Sequence, residues 1–476
     1  MKKIISFSLI IAMVAAGCAT KYHRANYDYN NMAYYKASEK YRAYLGKHDK
    51  PEAMLRLAAT YSKMHEYDKA EYWYGRGVAT SKAGPADYLA YADVLKTNGK
   101  YAEAKQWYAK YLEAKPNDAM ARARMEGCDR VGQYSSNEEG YVATAISTGQ
   151  HSFGMSKYGD GYVYCSEQPL TPDVKVNPWT GRSYLRIMYS RFYGDGSHTT
   201  PVPFNADINS YYHNGPVVFT ADYNKIYFSR SNCMDNKRFR SLDKVNNIKI
   251  YTADRDGNDW VNIRELPFNS NEYSCGHPAL SADGETMYFV SDKPGGHGNT
   301  DIYMSVHKNG KWSKPQNLGD NINTAGYEMF PTFYRDGKGQ AYLYFSSDGH
   351  AGMGGLDLYY SVQQADGSWG KPVHMNAPFN SSADDFSLVH EGNGSIGYFS
   401  SSREGNMDKL FMFSKQPKLF ADGAVYDRET KVVITDAKVI LNNKTTGKSE
   451  AVVLNSDGMF HIPLQANMDY TFNATH

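Results

Sequence analysis

The sequence predicts a multidomain α + β chain, and three observations carry that prediction. Between residues 32 and 135, small and aromatic residues recur with a helical period, and the pattern repeats at the spacing that separates Pro51 from Pro85. From about Gly140 to Lys415 a strand–turn–strand motif recurs. Past Pro417 a third pattern of short alternating strands begins and runs towards His476. At 476 residues the chain is long enough for two to four domains with cores of their own.

The first segment of the chain is a leader. Lys2 and Lys3 precede an apolar run from Ile4 to Ala16 that ends in small residues, which is the pattern of a secretory signal and too short for a stable membrane span. Met13-Val14-Ala15-Ala16-Gly17-Cys18 resembles the lipobox of bacterial lipoproteins, with Ala15 where Leu is usual. The resemblance implies a signal peptide over residues 1–17 and lipid attachment at Cys18, where several acyl chains together give lasting attachment. It also implies an outer-membrane, lipid-anchored protein. Ala19-Thr20-Lys21-Tyr22-His23 lacks the acidic cluster that resembles a surface-export signal, so the expected orientation faces the periplasm. Residues 18–31 show no hydrophobic period and are expected to be a tether.

Composition narrows the function classes. Lys and Arg total 52 against 51 Asp and Glu, a net charge of +1 that argues against a nucleic-acid partner. Aromatic content is 14% with 41 Tyr, which suits a β-rich exported chain. No apolar run of membrane-spanning length follows the leader. Besides Cys18 there are Cys128, Cys165, Cys233 and Cys275; their scattered spacing favours free or partly paired thiols, and no CxxC or Cys/His spacing suggests a metal.

In the first region Pro51 opens a segment carrying Leu57, Ala58, Tyr61, Tyr67, Ala70 and Tyr74. Pro85 opens the next, with Tyr91, Ala92, Leu95, Tyr101, Ala104 and Tyr108 in the same places. A weaker copy precedes them at Tyr34, Ala37 and Tyr41, and Ala119 to Arg130 reads as a terminal capping helix. The period and the Pro, Ala and aromatic positions resemble the tetratricopeptide repeat (TPR), and Pro116 falls where that repeat places its closing proline. The resemblance implies a short helical solenoid over residues 32–135 whose groove binds peptides or proteins.

The second region, residues 136–415, alternates Asp-rich turns with Tyr/Phe-rich strands ending in Ser. Ser281-Ala282-Asp283-Gly284 leads to Met287-Tyr288-Phe289-Val290-Ser291, and Tyr334-Arg335-Asp336-Gly337 leads to Tyr344-Phe345-Ser346-Ser347. The Asp-Gly pairs supply the positive φ of tight turns. Weaker copies at Ile226-Tyr227-Phe228-Ser229, Tyr162-Val163-Tyr164 and Gly397-Tyr398-Phe399-Ser400 bring the number to five, which predicts a five-bladed β-propeller. Third strands follow at Asp301-Ile302-Tyr303, Asp357-Leu358-Tyr359 and Lys409-Leu410-Phe411, with hairpins ending at Trp260, Trp312 and Trp369. The last copy lacks an outer strand, and Gly140 to Ser147 has the character to supply it and so remove an open edge. The copies resemble the WD40-like PD40 propellers found in TolB-like proteins.

The third region, residues 416–476, carries Gly423-Ala424-Val425-Tyr426-Asp427, Lys438-Val439-Ile440-Leu441 and Met459-Phe460-His461-Ile462. It resembles the carboxypeptidase regulatory-like fold, a transthyretin-like β-sandwich, and stops at His476 short of that fold's usual strand number, so an incomplete sandwich and a truncated product are expected. The domain order resembles the PorE-like lipoproteins of the Bacteroidota type IX secretion system, which continue into an OmpA-like domain that grips peptidoglycan. That implies peptidoglycan attachment only in relatives that have this domain.

No G-x-S-x-G, H-E-x-x-H or P-loop is present, and the expectation is no enzyme, no catalytic residue, no cofactor and no metal. His65-Glu66 and His390-Glu391 are isolated dyads. Pro294-Gly295-Gly296-His297-Gly298 and His350-Ala351-Gly352-Met353-Gly354-Gly355 read as wide hairpin turns, because neither precedes a helix that could hold an anion. Asp254 to Trp260 and Ala365 to Trp369 look like the Asp boxes of sialidases, which are turns and not catalytic groups. The expected function is a non-catalytic periplasmic scaffold or adaptor for type IX secretion or envelope assembly, with protein partners held by the helical groove and the propeller rims. The alternatives are a glycan- or peptide-binding periplasmic module and a propeller-based periplasmic hydrolase.

Overall fold

A computed structural model describes residues 21–476 apart from 138–139, 195, 235–236, 406, 417–418 and 465–467. Cys18 and the leader lie outside the described residues. The chain divides into two compact units. One holds the helices and the strands up to Phe413, and the other is formed by Asn137–Val142 with Ser414–His476.

The helices are α1 (residues 21–30), α2 (Tyr34–Leu45), α3 (Pro51–Lys63), α4 (Tyr67–Val78), α5 (Pro85–Thr97), α6 (Tyr101–Ala114), α7 (Ala119–Asp129) and α8 (Val131–Tyr134). Pro51 and Pro85 stand at the first helical positions, where a missing N–H costs nothing. Asp118 caps α7 by accepting from the Ala121 N–H at 3.0 Å. Ala58, Ala70, Ala92 and Ala104 are fully buried where helices pair, and the large residues at matching positions, Tyr61 and Leu95 and then Tyr74 and Tyr108, fill the core between them. At Gly77 closeness is enforced from the partner side, since a Cβ there would lie 2.4 Å from Leu55 Cδ2.

The expected tether is corrected here. Residues 21–30 are helical and Ala25 is fully buried in the helical core. Tyr22, Ala25 and Tyr29 fall on one helical face, Tyr22 meets the Tyr41 ring edge-on at 6.2 Å, and Tyr41 Oη donates to Asn26 Oδ1 at 2.5 Å. Tyrosine reads as polar in a hydropathy scan yet buries its ring, which hid the period.

The strands form five antiparallel sheets, a propeller-like ring. The innermost strands are Ser152–Tyr158, Asn214–Phe219, Cys275–Leu280, Glu328–Arg335 and Asp385–Glu391. Each packs against the next, and the fifth packs against the first. Tyr141–Ile146 adds to Lys409–Lys415 as the outer strand of the fifth sheet, as the alternating residues there predicted. Trp260, Trp312 and Trp369 take part in the outer hairpins, with Trp260 and Trp369 buried.

In the second unit Leu419–Ala424 pairs with Met459–Leu464, and Lys438–Asn443 lies between Ser449–Val452 and Tyr470–Thr475. Val439, Leu441 and Val452 are its buried core.

Candidate functional site

Two places gather unusual groups: the axis of the ring, and the ring loops that meet the helices. At the axis all five inner strands bulge at the same register, two residues opposing one. The first bulge residue has positive φ each time: Gly154 (71°), Gly215 (84°), His277 (50°), Phe330 (51°) and Ser387 (56°). Glycine takes this conformation freely, whereas His277, Phe330 and Ser387 each hold it at a cost of roughly 1–3 kcal/mol. Pro216, Pro278 and Pro331 occupy the second bulge position, where the ladder is interrupted and the missing N–H is not needed.

These bulges line a cavity of about 40 Å³, with Thr332, Ser387 and His277 among its walls. His277 stacks on Phe330 at 4.0 Å and accepts the Phe330 N–H on Nδ1 at 3.3 Å. Burial pushes its pKa down to about 4, so the ring is neutral at physiological pH and its proton sits on Nε2. Ligand pockets run to roughly 300–1,000 Å³, so this cavity is of a size for water and not for a sugar ring or a peptide.

The loops bracketing the ring's third strands are tied down by a repeated device. The side chains of Asn209, Asn269, Asn323 and Asn380 each accept the N–H and donate to the carbonyl of one residue: Ile187, Ile250, Ile302 and Leu358 respectively. Glu328 accepts from the Thr324 N–H (2.8 Å), Thr324 Oγ1 (2.7 Å) and Ser347 Oγ (2.7 Å), and burial raises its carboxyl to about 7 in spite of them.

Onto this rim the helices dock. Arg124 of α7 donates to Asp348 Oδ2 and to Asp93 Oδ2 of α5, both at 2.7 Å, and to the Asp348 carbonyl at 2.9 Å. Burial opposes the charge on Arg124, but the two carboxylates more than reverse that and hold its pKa above the ordinary value. Lys96 is buried and donates to the Gly354 carbonyl at 2.6 Å. His65 Nδ1 and Tyr67 Oη meet Asp384 Oδ2 at 3.0 and 3.1 Å. Desolvation pulls the His65 pKa down, and Asp384 overcomes it and raises it. Tyr134 stacks on His374 at 3.8 Å, Trp179 Nε1 donates to the Lys63 carbonyl at 2.7 Å, and the Trp179 ring meets Tyr34 edge-on. Gly127 allows the closest approach, since a Cβ there would lie 2.0 Å from the Gly352 carbonyl oxygen.

The sequence features that suggested chemistry resolve as structure. In His65-Glu66 the histidine faces Asp384 while Glu66 pairs with Lys69. In His390-Glu391 the histidine lies among Tyr334, Tyr344 and Phe413, held neutral by burial with a pKa near 4, and Glu391 pairs with Lys157. The glycine-rich turns wrap the chain's own carboxylates: His297 and Gly298 donate backbone N–H groups to Asp301, and Gly354 donates to Asp357. Asp254 pairs with Lys225 and Arg264, and Ser368 bonds Asp366, both at hairpins. Cys128, Cys165, Cys233 and Cys275 are buried free thiols. Among the described residues no group of three or more His, Cys, Asp or Glu is placed to hold a metal, and no helix is long and apolar enough to cross a membrane. Sequence reasoning missed Arg124, Lys96, Trp179 and the four clamping Asn residues; only the Asn residues had a sequence signal, as Phe-Asn or Ile-Asn ahead of successive copies.

No protein-family model and no curated protein matches the chain. Among solved structures it is similar to TolB from Acinetobacter baumannii, at 14% identity and a TM-score of 0.30 over 56% of this chain and 55% of that one. It is also similar to an alpha-L-arabinofuranosidase from Lactobacillus brevis, at 12% identity and a TM-score of 0.37 over 63% of this chain and 95% of that one. An endo-arabinase from Bacteroides thetaiotaomicron aligns at 11% identity and a TM-score of 0.36 over 61% of this chain and 99% of that one. The chain thus spans about half the length of the TolB structure and nearly all of the other two.

Proposed function

We propose that this chain is a non-catalytic scaffold of the bacterial envelope, anchored by lipid at Cys18 to the outer membrane and facing the periplasm, in the manner of the PorE-like lipoproteins. On this reading the helices are tetratricopeptide repeats, the ring is a five-bladed PD40-type propeller, and Ser414–His476 belongs to a carboxypeptidase regulatory-like sandwich. One observation carries it: buried polar contacts through Arg124, Lys96 and Asp384 bind the helical repeats and the ring into a single compact unit. Two repeat arrays joined this way make a broad surface for other proteins. The helix-bearing rim is already occupied from within the chain, so partners are assigned to the remaining helix faces and ring loops. The axial cavity, at about 40 Å³, is too small to hold a sugar ring or a peptide at the axis.

The test is crosslinking in intact envelope followed by mass spectrometry, with the full chain and with Cys18→Ser. Recovery of secretion or envelope-assembly proteins with the full chain, and their loss with Cys18→Ser, is expected. Recovery of none with either would reject the scaffold reading.

A further inference from the structure

Between the second and third strands of the second sheet the chain makes an excursion in which Cys233–Met234 pairs with Lys237–Arg238. Beyond that ribbon the backbone is fixed: the Phe239 N–H donates to the Asn232 carbonyl at 2.9 Å, and Asn246 Nδ2 donates to the Phe239 and Asn232 carbonyls at 2.6 and 2.8 Å. A turn follows in which Ser241 and Val245 bond one another and Lys244 takes a positive φ of 67°. The fixed loop projects apolar side chains outward. Leu242 is 89% exposed and Phe239 48% exposed, with Met234 also exposed on the ribbon.

Cations neighbour these side chains along the loop. Lys237, Arg238, Arg240 and Lys244 are exposed, and Lys175 reaches in from the first sheet. Lys175 and Arg238 both sit over the Tyr212 ring, at 4.3 and 4.9 Å, and Lys175 also donates to Tyr212 Oη at 2.8 Å. Among the described residues none of the five cations is in an ion pair, and the nearby acids are Asp243 and Glu272, with Asp235 between the ribbon strands in sequence.

We propose that this loop is a membrane-touching element that lays Phe239 and Leu242 into the interface of an anionic phospholipid surface, with the five cations on the headgroup phosphates. Charge complementarity names the surface, because uncompensated Lys and Arg beside a bilayer are attracted by anionic lipid. The projecting geometry separates this from a protein partner: single apolar side chains on a fixed tip enter a lipid interface without needing a matching pocket. Cation–π contacts hold Lys175 and Arg238 in place without neutralising them.

The test places an environment-sensitive dye on Leu242→Cys in the full chain carrying Cys18→Ser, where the four described native thiols are buried. Lys338→Cys, on an exposed turn of the fourth sheet, is the control position. With vesicles containing phosphatidylglycerol, blue-shifted and severalfold brighter emission is expected at 242 and not at 338. The response should vanish with phosphatidylcholine vesicles and fall at least tenfold with Lys237→Glu/Arg240→Glu. No response at 242, an equal response at 338, or an equal response to both lipids would overturn the proposal. So would a response to polyglutamate without one to vesicles, which would point to an acidic protein instead.

Discussion

The ring and the C-terminal unit are both made of short antiparallel strands, yet they bury their apolar side chains to different extents. In the ring Phe228, Phe289, Phe345 and Phe399 are fully buried, one from each of four sheets. In the C-terminal unit Phe420, Val432, Ile440, Val453 and Met459 are exposed around a core of Val439, Leu441 and Val452. Closure accounts for the contrast. Every inner strand of the ring has a packed neighbour on both sides, whereas two- and three-stranded sheets leave edges and much of their apolar surface open. A closed repeat, further braced by helices, is a finished platform; the small sheets hold together with far less buried area.

The largest effect is expected at a ring phenylalanine. Phe345→Ala empties a fully buried site beside Leu343 and Tyr359 and is expected to cost about 3–5 kcal/mol, read as a lowered midpoint in denaturant for the ring and helices together. A lowered midpoint for the ring alone, with the helices unchanged, would contradict a joint unit.

Arg124→Ala comes next. It leaves Asp93 and Asp348 without their cation, and because both keep some solvent contact the expected cost is about 2–3 kcal/mol, below the full penalty for splitting a buried pair. Gly127→Ala tests the same interface by volume. Its Cβ would meet the Gly352 backbone, so roughly 1–3 kcal/mol of overpacking is expected, with limited proteolysis between helices and ring speeding up while the ring stays intact.

Acidity sharpens the comparison further. The Glu328 carboxyl titrates near 7 when folded and in the ordinary carboxylate range when unfolded, so the folded chain holds a proton the unfolded chain has released. The stability that Glu328 contributes to the ring should therefore fall as pH rises from about 5 towards 7 and level off above it. His65, raised by Asp384 against desolvation, acts in the same direction: its contribution is present below its unfolded pKa and lost as pH rises through the folded one. Asp384, where burial is outweighed by His65 and hydrogen bonds, acts oppositely, losing its contribution only as pH falls through its lowered pKa. Buried His277 and His390, held neutral with pKa values near 4, act against this trend, so Glu328 is isolated by comparison: the melting temperature of the parent relative to Glu328→Gln should fall as pH rises from 5 to 8. The smallest effect belongs to the C-terminal unit, where Val453→Ser, at 85% exposure, is expected within about 0.5 kcal/mol of the parent by the same denaturation.

Much of this architecture was legible from local pattern. The period-34 match between Pro51 and Pro85 placed α3 to α6, and Asp-Gly turns with Tyr/Phe strands placed the sheets. The strand register was only partly legible. Aligning Phe228 with Phe289, Phe345 and Phe399 follows the motif, but the residue opposite the bulge is Phe289, Phe345, Phe399 and Tyr164 in four sheets and Ser229 in the second. Positive φ at Phe330 has no local signal beyond the following proline, since a phenylalanine rarely adopts it. The helix–ring contacts were not legible because Arg124 and Asp348, or Lys96 and Gly354, are joined only by the completed fold.

The most direct measurement is native-state hydrogen exchange of the full chain, following amides in α5 and in the strand Ala341–Ser347 with and without Gly127→Ala. If helices and ring are one unit, both sets open together with the same free energy in the parent, and α5 opens separately and more easily in the variant. Independent, lower-energy opening of α5 in the parent itself would contradict the joint platform on which the scaffold reading stands.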